Sequence, residues 1–436
     1  VRLYSWPRSR LSIHKERPKP LMPLFTTIFL AALIAGTLLQ LWLLQRHLQH
    51  VRAHQQQVPE AFATMVSLDE HQKAAAYTQA KGQLGRLDIL LGSLLLLGWT
   101  LGGGLNLLNQ FWLGLKLDAT LTGIGLIFSM FFISSLIELP LALWRTFVIE
   151  ARFGFNRSSP KRFLLDRLLG LLLAVLLGGP LLWVILQLMA SAGNLWWLAV
   201  WAVWIGFTLL ILWAYPRLIA PLFNRFTPLE AGETRDRVQD LLHRCGFNSD
   251  GIFVMDGSKR SSHGNAYFSG FGKSKRIVFF DTLLEALAPQ EMEAVLAHEL
   301  GHFRLHHVIK QMLLMSGVSL LGLALLGWLS SQLWFYQGLG VTQPSNAVLL
   351  MLFLLATPVF TLFIAPIGSY LSRRHEFEAD AFAVEQSGSE PLIRALVKLY
   401  QDNASTLTPD PLYSLFYDSH PPAAVRIAQI ANHSSP

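Results

Sequence analysis

The sequence predicts an all-α multi-pass membrane protein of about seven transmembrane helices, with a small α+β domain on the cytoplasmic side. Three observations carry this reading. The 436 residues are 52% hydrophobic and only 14% charged, against about 25% charged in globular domains. The shortage is concentrated in apolar runs that reach the roughly 20 residues needed to cross a bilayer as a helix. The one long polar stretch between such runs changes from helical to strand periodicity and back.

The chain opens with a basic tail, residues 1–21. Apolar runs near 22–44, 89–112, 120–143, 164–190 and 195–215 make spans one to five, within residues 22–215. The first lies too far in, with no clear small-residue cleavage site after it, to be a signal peptide. A polar segment follows at 216–309. In "TPLEAGETRDRVQDLLHRCGF" the residues Val238, Leu241, Leu242 and Cys245 share one helical face. "IFVM" and "RIVFF" are β-rich, with Gly and Ser turns between them. "TLLEALAPQEMEAVLAHELGHF" returns to helix, and Pro289 marks a helix start. Runs near 311–334 and 346–367 make spans six and seven, within residues 310–370. The C-terminal segment, 371–436, is helical again, interrupted by "LTPDP" and "SHPPAA".

Several spans carry polar groups. Glu138 and Pro140 fall in span three, and Asn106, Asn109 and Gln110 near the end of span two. Ionisable groups at membrane depth face the bundle interior or water, so Glu138 predicts an internal cavity. For the amides, hydrogen-bonding glue between helices is an equal alternative.

The formal net charge is +7, but its distribution argues for topology rather than nucleic acid. Arg46, Lys81, Arg145, Lys161 and Arg276 represent the many basic residues on one side of the membrane. On the other, Lys116 is the main exception in the short loops. The basic side is expected to be cytoplasmic, and it carries "HELGH". The tail 1–21 breaks this rule. Since Met22 stands just before span one, translation is expected to start there, with residues 1–21 an artefact of gene calling. Peptides from 1–21 in the native protein would overturn that. The only cysteine, Cys245, rules out an internal disulfide and a cysteine-rich zinc site.

The chemistry concentrates at 298–302. His298 and His302 are four apart and share a helical face, so their imidazoles can converge on one Zn²⁺. Glu299 is placed to take a proton from water rather than to ligate. A catalytic zinc needs a third protein ligand. "SRRHEFEADAFA" offers Glu376 and Asp380 on one face, with Glu378 roughly opposite. Glu376 is assigned as the third ligand and Asp380 as acceptor of a zinc histidine's second N–H. Asp380 as ligand is the alternative, and without "HELGH" the stretch would read as a solvated charged face. His306 and His307 follow on the same helix, where roles behind the ligands or at the membrane interface are expected rather than ligation. His375 points elsewhere, and His263 lies in a turn.

Taken with "RTFVIEARFGFN" at 145–156, "NAYFSGFGKSKRIVFFDTLLE" at 265–285, "SRRHEFEADAFA" at 372–383 and "SHPPAAVRI" at 419–427, the chain resembles the integral-membrane CAAX prenyl proteases of type 1. The resemblance runs over nearly the whole chain after residue 22. It implies a seven-span zinc metallopeptidase whose spans enclose a water-filled chamber with the metal at its cytoplasmic end. His298, His302 and Glu376 would bind one Zn²⁺ and Glu299 would be the base. Asn265 would contact the substrate backbone, within a strand including Ala266 and Tyr267 that could pair with an extended peptide. His420 would help stabilise the oxyanion, supported by Arg426. From its residues alone, His420 would read as a loop histidine before a Pro-Pro turn. One departure is visible: the family commonly has Gly where this chain has His306.

The expected activity is zinc endopeptidase cleavage near the C-terminus of membrane-associated, possibly prenylated substrates. A quality-control protease acting on misfolded membrane proteins would use the same chemistry, and a silent scaffold or transporter is the reading from another class. The compact loops and the Val1 start favour a bacterial inner membrane, or the endoplasmic reticulum if the source is eukaryotic. Bacteria generally lack prenylated CAAX proteins, which would make quality control the physiological role there. Lipid bilayer and peptide are the expected partners and nucleic acid is not; oligomeric state is not legible.

Overall fold

The computed structural model describes residues 21–269 and 276–432. The expected tail therefore lies outside the described residues up to residue 20, as does the centre of the "NAYFSGFGKSKRIVFF" motif.

The first half is helical. It comprises α1 (Leu21–His54), α2 (Leu68–Trp99), α3 (Gly104–Gly114), α4 (Ala119–Trp144), α5 (Pro160–Ser191), α6 (Trp196–Ala214) and the short α7 (Ala220–Phe223). Local signals set several starts. Ser67 and Glu70 form a reciprocal capping box on α2, Asp118 caps α4, and Ser159 caps α5 ahead of Pro160. Six helices are long and apolar enough to cross a membrane, and α2 with α3, bent by 49° at their break, makes a seventh. Span two is thus a broken helix rather than the single run expected. Two spans end in wide π-helical turns, Arg145–Glu150 after α4 and Tyr215–Ile219 after α6.

The polar segment folds as expected, with one strand unforeseen. β1 (Phe226–Pro228) precedes α8 (Glu233–Arg244), in a stretch whose periodicity had suggested helix alone. β2 (Ile252–Met255), β3 (Ala266–Ser269) and β4 (Arg276–Phe280) complete a sheet of order β1-β2-β4-β3. β2 and β4 are parallel and the outer pairs antiparallel, which leaves β3 on an edge. Then come α9 (Asp281–Ala286), α10 (Pro289–Arg304), α11 (His307–Leu329), α12 (Leu333–Gly338) and α13 (Asn346–Thr361). A single 3-10 turn joins α13 to α14 (Ala365–Ser387), followed by α15 (Ser389–Asp402), α16 (Pro411–Tyr417) and α17 (Ala423–Asn432). Val238, Leu241, Phe279, Leu296 and Leu396 anchor the core between the sheet and helices α8, α10 and α15.

The spans form a ring. α1 packs on α2, the α2–α3 pair on α4, α4 on α5, α5 on α6, α6 on α11, α11 on α13, and α13 back on α1. Their common core, which includes Phe29, Leu105, Leu126, Leu186, Val200 and Leu326, lies at the end away from "HELGH". Only 17, 6, 11 and 11% of the apolar stretches of α4, α5, α6 and α11 are buried inside the protein, so these walls are largely exposed. Glu138 lines a cavity with Asp88 of α2, Arg145 after α4 and Arg167 of α5. Asn106 accepts hydrogen bonds from Thr342, in the loop between α12 and α13, rather than linking two helices.

His306 corrects the expected continuous helix. α10 ends at Arg304, His306 takes a left-handed φ of 60°, and α11 starts at His307. The left-handed conformation costs a non-glycine residue about 1–2 kcal/mol, which explains why glycine suits this position in the resembling family. Glycine would also lose about 0.5–1 kcal/mol in chain entropy. His306→Gly is therefore expected to stabilise the protein by about 0.5–1 kcal/mol, read as a higher thermal midpoint.

Candidate active site

α10 and α14 cross where the "HELGH" glycine sits. A Cβ on Gly301 would lie 3.0 Å from the Ala379 Cα and 3.2 Å from its carbonyl oxygen, so no larger residue lets the helices approach this closely. The contact faces Glu376 and Asp380 of α14 toward His298 and His302 of α10.

Three donor atoms meet there. His298 Nε2 and His302 Nε2 are 3.3 Å apart. His298 Nε2 is 3.4 Å from Glu376 Oε2, and His302 Nε2 is 3.4 Å from Glu376 Oε1. A tetrahedral zinc with bonds of about 2.0–2.1 Å would hold its ligand atoms about 3.3–3.4 Å apart. Glu376 Oε2 is buried with no hydrogen-bond partner, a condition that a metal would relieve. Among the described residues, His298, His302 and Glu376 are the one group that could hold a metal in this way.

Behind them, His298 Nδ1 lies 2.9 Å from Asp380 Oδ1. Arg426 of α17 donates to both Asp380 oxygens, from Nη2 at 2.6 Å and Nε at 2.8 Å. Burial opposes a charge on His298, but the neighbouring carboxylates of Asp380 and Glu376 outweigh it and raise its pKa to about 9. A metal arriving at neutral pH must therefore displace a proton. Asp380 thus stands behind His298, and its carboxylate is not among the converging donors.

Glu299 is half-buried and lines the cleft of about 270 Å³ that contains His298, Glu376, His420 and Arg426. Burial pushes its carboxyl above the ordinary value. His420 Nδ1 stands 3.8 Å from Glu376 Oε1. The His420 side chain is 58% exposed and lines the cleft, where its ring can present an N–H. Asn265 and Ala266 line the cleft at the start of edge strand β3. Tyr267 does not line it: its ring turns to the other side, against Phe280, as strand alternation requires.

Two polar cleft residues were missed. Tyr400 and Asn403, from α15 and its end, form the wall shared with a second cavity of about 680 Å³. Asn403 Oδ1 is 2.9 Å from His263 Nδ1, and His263 Nε2 is 3.6 Å from Glu150, which accepts from Tyr77 Oη at 2.7 Å. The wide turn at 145–150 and α2 are thereby tied to the cleft wall. No spacing rule joins residues so far apart; the only signal was the "RTFVIE" motif.

Residues 47–225 match the CAAX prenyl protease N-terminal family, five membrane helices, and residues 228–434 match peptidase family M48. The chain is 38% identical to a CAAX prenyl protease 1 homolog of Arabidopsis thaliana over 68% of its own length and 70% of the relative's. The chain belongs to the CAAX prenyl protease 1 family. It is also 36% identical to CAAX prenyl protease 1 of Saccharomyces cerevisiae, over 70% of this chain and 71% of that one. The crystal structure of S. mikatae Ste24p superposes with a TM-score of 0.87 at 30% identity, covering 93% of this chain and 99% of that one. Membership of the CAAX prenyl protease 1 family makes this chain a multi-pass membrane metallopeptidase, and the M48 match implies a metal, typically zinc.

Proposed function

We propose that the protein holds one Zn²⁺ through His298, His302 and Glu376 and removes C-terminal peptides from membrane-held, prenylated substrates. The observation that carries the metal assignment is the set of 3.3–3.4 Å separations among three donor atoms in a cleft lined by Glu299. Zinc, when bound, polarises the scissile carbonyl and acidifies water to a pKa of about 7. Glu299 takes the proton from the attacking water and delivers it to the leaving amine. His420 donates its N–H toward the oxygen on which negative charge develops. Arg426 holds Asp380, which orients His298. Asn265, Ala266 and Tyr267 contribute through the backbone of edge strand β3, where an extended peptide can add as a further strand.

The adjoining 680 Å³ cavity supports cleavage near a chain end. Lys81 lines it, exposed, with its ammonium over the Tyr77 ring at 4.7 Å. A terminal carboxylate is the anion that a short C-terminal fragment brings. Lys81→Ala is expected to raise KM about tenfold for substrates with a free carboxylate, roughly the 1.5 kcal/mol of a charge-assisted hydrogen bond. KM for the amidated peptide should not change. The test is hydrolysis of a prenylated peptide by the purified full chain, with free and amidated ends. Chelation should abolish the activity and zinc restore it. Equal cleavage of amidated, unprenylated peptides would favour the broad quality-control protease instead.

The raised Glu299 pKa sets a pH expectation. The base is active only when ionised, and that form is lost as pH falls through the raised value. In the metal-free protein the Glu299 carboxyl should therefore titrate above the range of an ordinary carboxylate, read as the infrared carboxyl band that Glu299→Gln removes; titration at or below that range would contradict it. We place the metal cleft on the cytoplasmic face because the loops on its side carry the excess of Lys and Arg. A bacterial inner membrane stays the favoured setting, on the compactness of the loops.

A further inference from the structure

We propose that His307 and Glu378 form a positioning relay that fixes the imidazole of His302 for the metal, so that the first residue of a membrane span helps set metal affinity. The inference rests on His302 being a ligand.

The backbone makes this possible. On an uninterrupted helix, five residues separate the two side chains by about 140°, and His307 would face away from His302. The left-handed residue His306 breaks that helix and swings the His307 ring back, so that its Nδ1 lies 3.0 Å from His302 Nδ1. His307 is buried there, stacked on His375 with centroids 4.1 Å apart and planes 12° apart. Its own Nε2 lies 3.0 Å from Glu378 Oε2. Arg374 Nε donates to the other oxygen of Glu378 at 3.1 Å. Glu378 thus points away from the face of Glu376 and Asp380 because it serves the other histidine.

The tautomers follow from one another. With His302 Nε2 turned to Glu376 and His298, its proton sits on Nδ1 and is donated to His307 Nδ1. His307 then carries its proton on Nε2 and donates it to Glu378. Each link accepts on one side and donates on the other. The two metal-facing histidines are therefore backed unequally. Asp380, a carboxylate with an arginine, stands directly behind His298. A neutral imidazole separates His302 from Glu378. Partners of this kind fix ring orientation and basicity, and their loss costs about 10–100-fold in metal affinity.

The experiment uses the full chain in detergent, freed of metal and titrated with Zn²⁺ against a competing chelator. The visible spectrum of the Co²⁺-loaded protein and the thermal midpoint of the metal-free protein are read in parallel. His307→Phe keeps a flat ring against His375 and removes both hydrogen bonds. It is expected to weaken Zn²⁺ binding 10–100-fold and shift the Co²⁺ bands, with the metal-free midpoint unchanged. Glu378→Gln, at a half-exposed position, should weaken binding less, and adding it to His307→Phe should cost nothing further. Zn²⁺ affinity within twofold of wild type in His307→Phe, with His302→Ala impaired, would overturn the relay alone. So would a loss that only follows a lowered metal-free midpoint. Unimpaired binding by His302→Ala would overturn the ligand assignment beneath it.

Discussion

Glu299→Gln is expected to retain one metal ion per chain while slowing peptide hydrolysis about 10²–10⁴-fold, the usual worth of a positioned general base. The substitution keeps the size and hydrogen-bonding reach of the side chain but removes its ability to hold a proton. His298, His302 and Glu376 keep their positions because Glu299 bonds to none of them; it projects into the cleft from the next position on α10. Metal content by elemental analysis and single-turnover hydrolysis of a peptide separate the two effects. Wild-type rates would remove Glu299 as the base. Loss of metal together with activity would mean that it supports the metal rather than the water.

Arg426→Met is expected to destabilise the protein by about 3–5 kcal/mol, the cost of breaking a buried pair from one side. Arg426 is buried, grips Asp380 with two bonds, and has Nη1 3.9 Å from Glu376. Methionine fills much of the same volume but leaves two buried carboxylates, Asp380 and Glu376, short of a cation. The penalty should be largest without metal, when the single charge of protonated His298 is what remains beside them in place of a divalent ion. Asp380→Asn added to Arg426→Met should recover part of it, because the stranded charge is then gone. Thermal midpoints with and without zinc test this, and a loss below about 1 kcal/mol in the metal-free protein would contradict it.

Much of this was legible in the sequence because it is local. Apolar runs announce spans, and i, i+4 spacing places His298 with His302 and Glu376 with Asp380. The structure brings those pairs together, and the comparisons place the whole in one family. What the sequence hid is set by long-range packing. Closure of the spans into a ring depends on α13 returning to α1, which no hydropathy pattern encodes. The partnership of His307 with Glu378 depends on one backbone torsion at His306, and histidine is not a residue that signals a left-handed break. β1 was masked because its three residues precede a strongly periodic helix. Tyr400 and Asn403 reach the cleft from an ordinary amphipathic helix and its end.

The near-continuous rod of α13 and α14 has a mechanical consequence. His302 ends one side of a hairpin of spans and Glu376 lies on the other, so an ion bound to both is a clasp across a loop of about 75 residues. Closure entropy rises only logarithmically with loop length, so fastening so long a loop costs little more than fastening a short one. An ion held there for cleavage therefore also ties the feet of two spans together at the membrane surface. Emptying the site should loosen one seam of the ring, so that loss of metal is felt in the wall as well as in the chemistry.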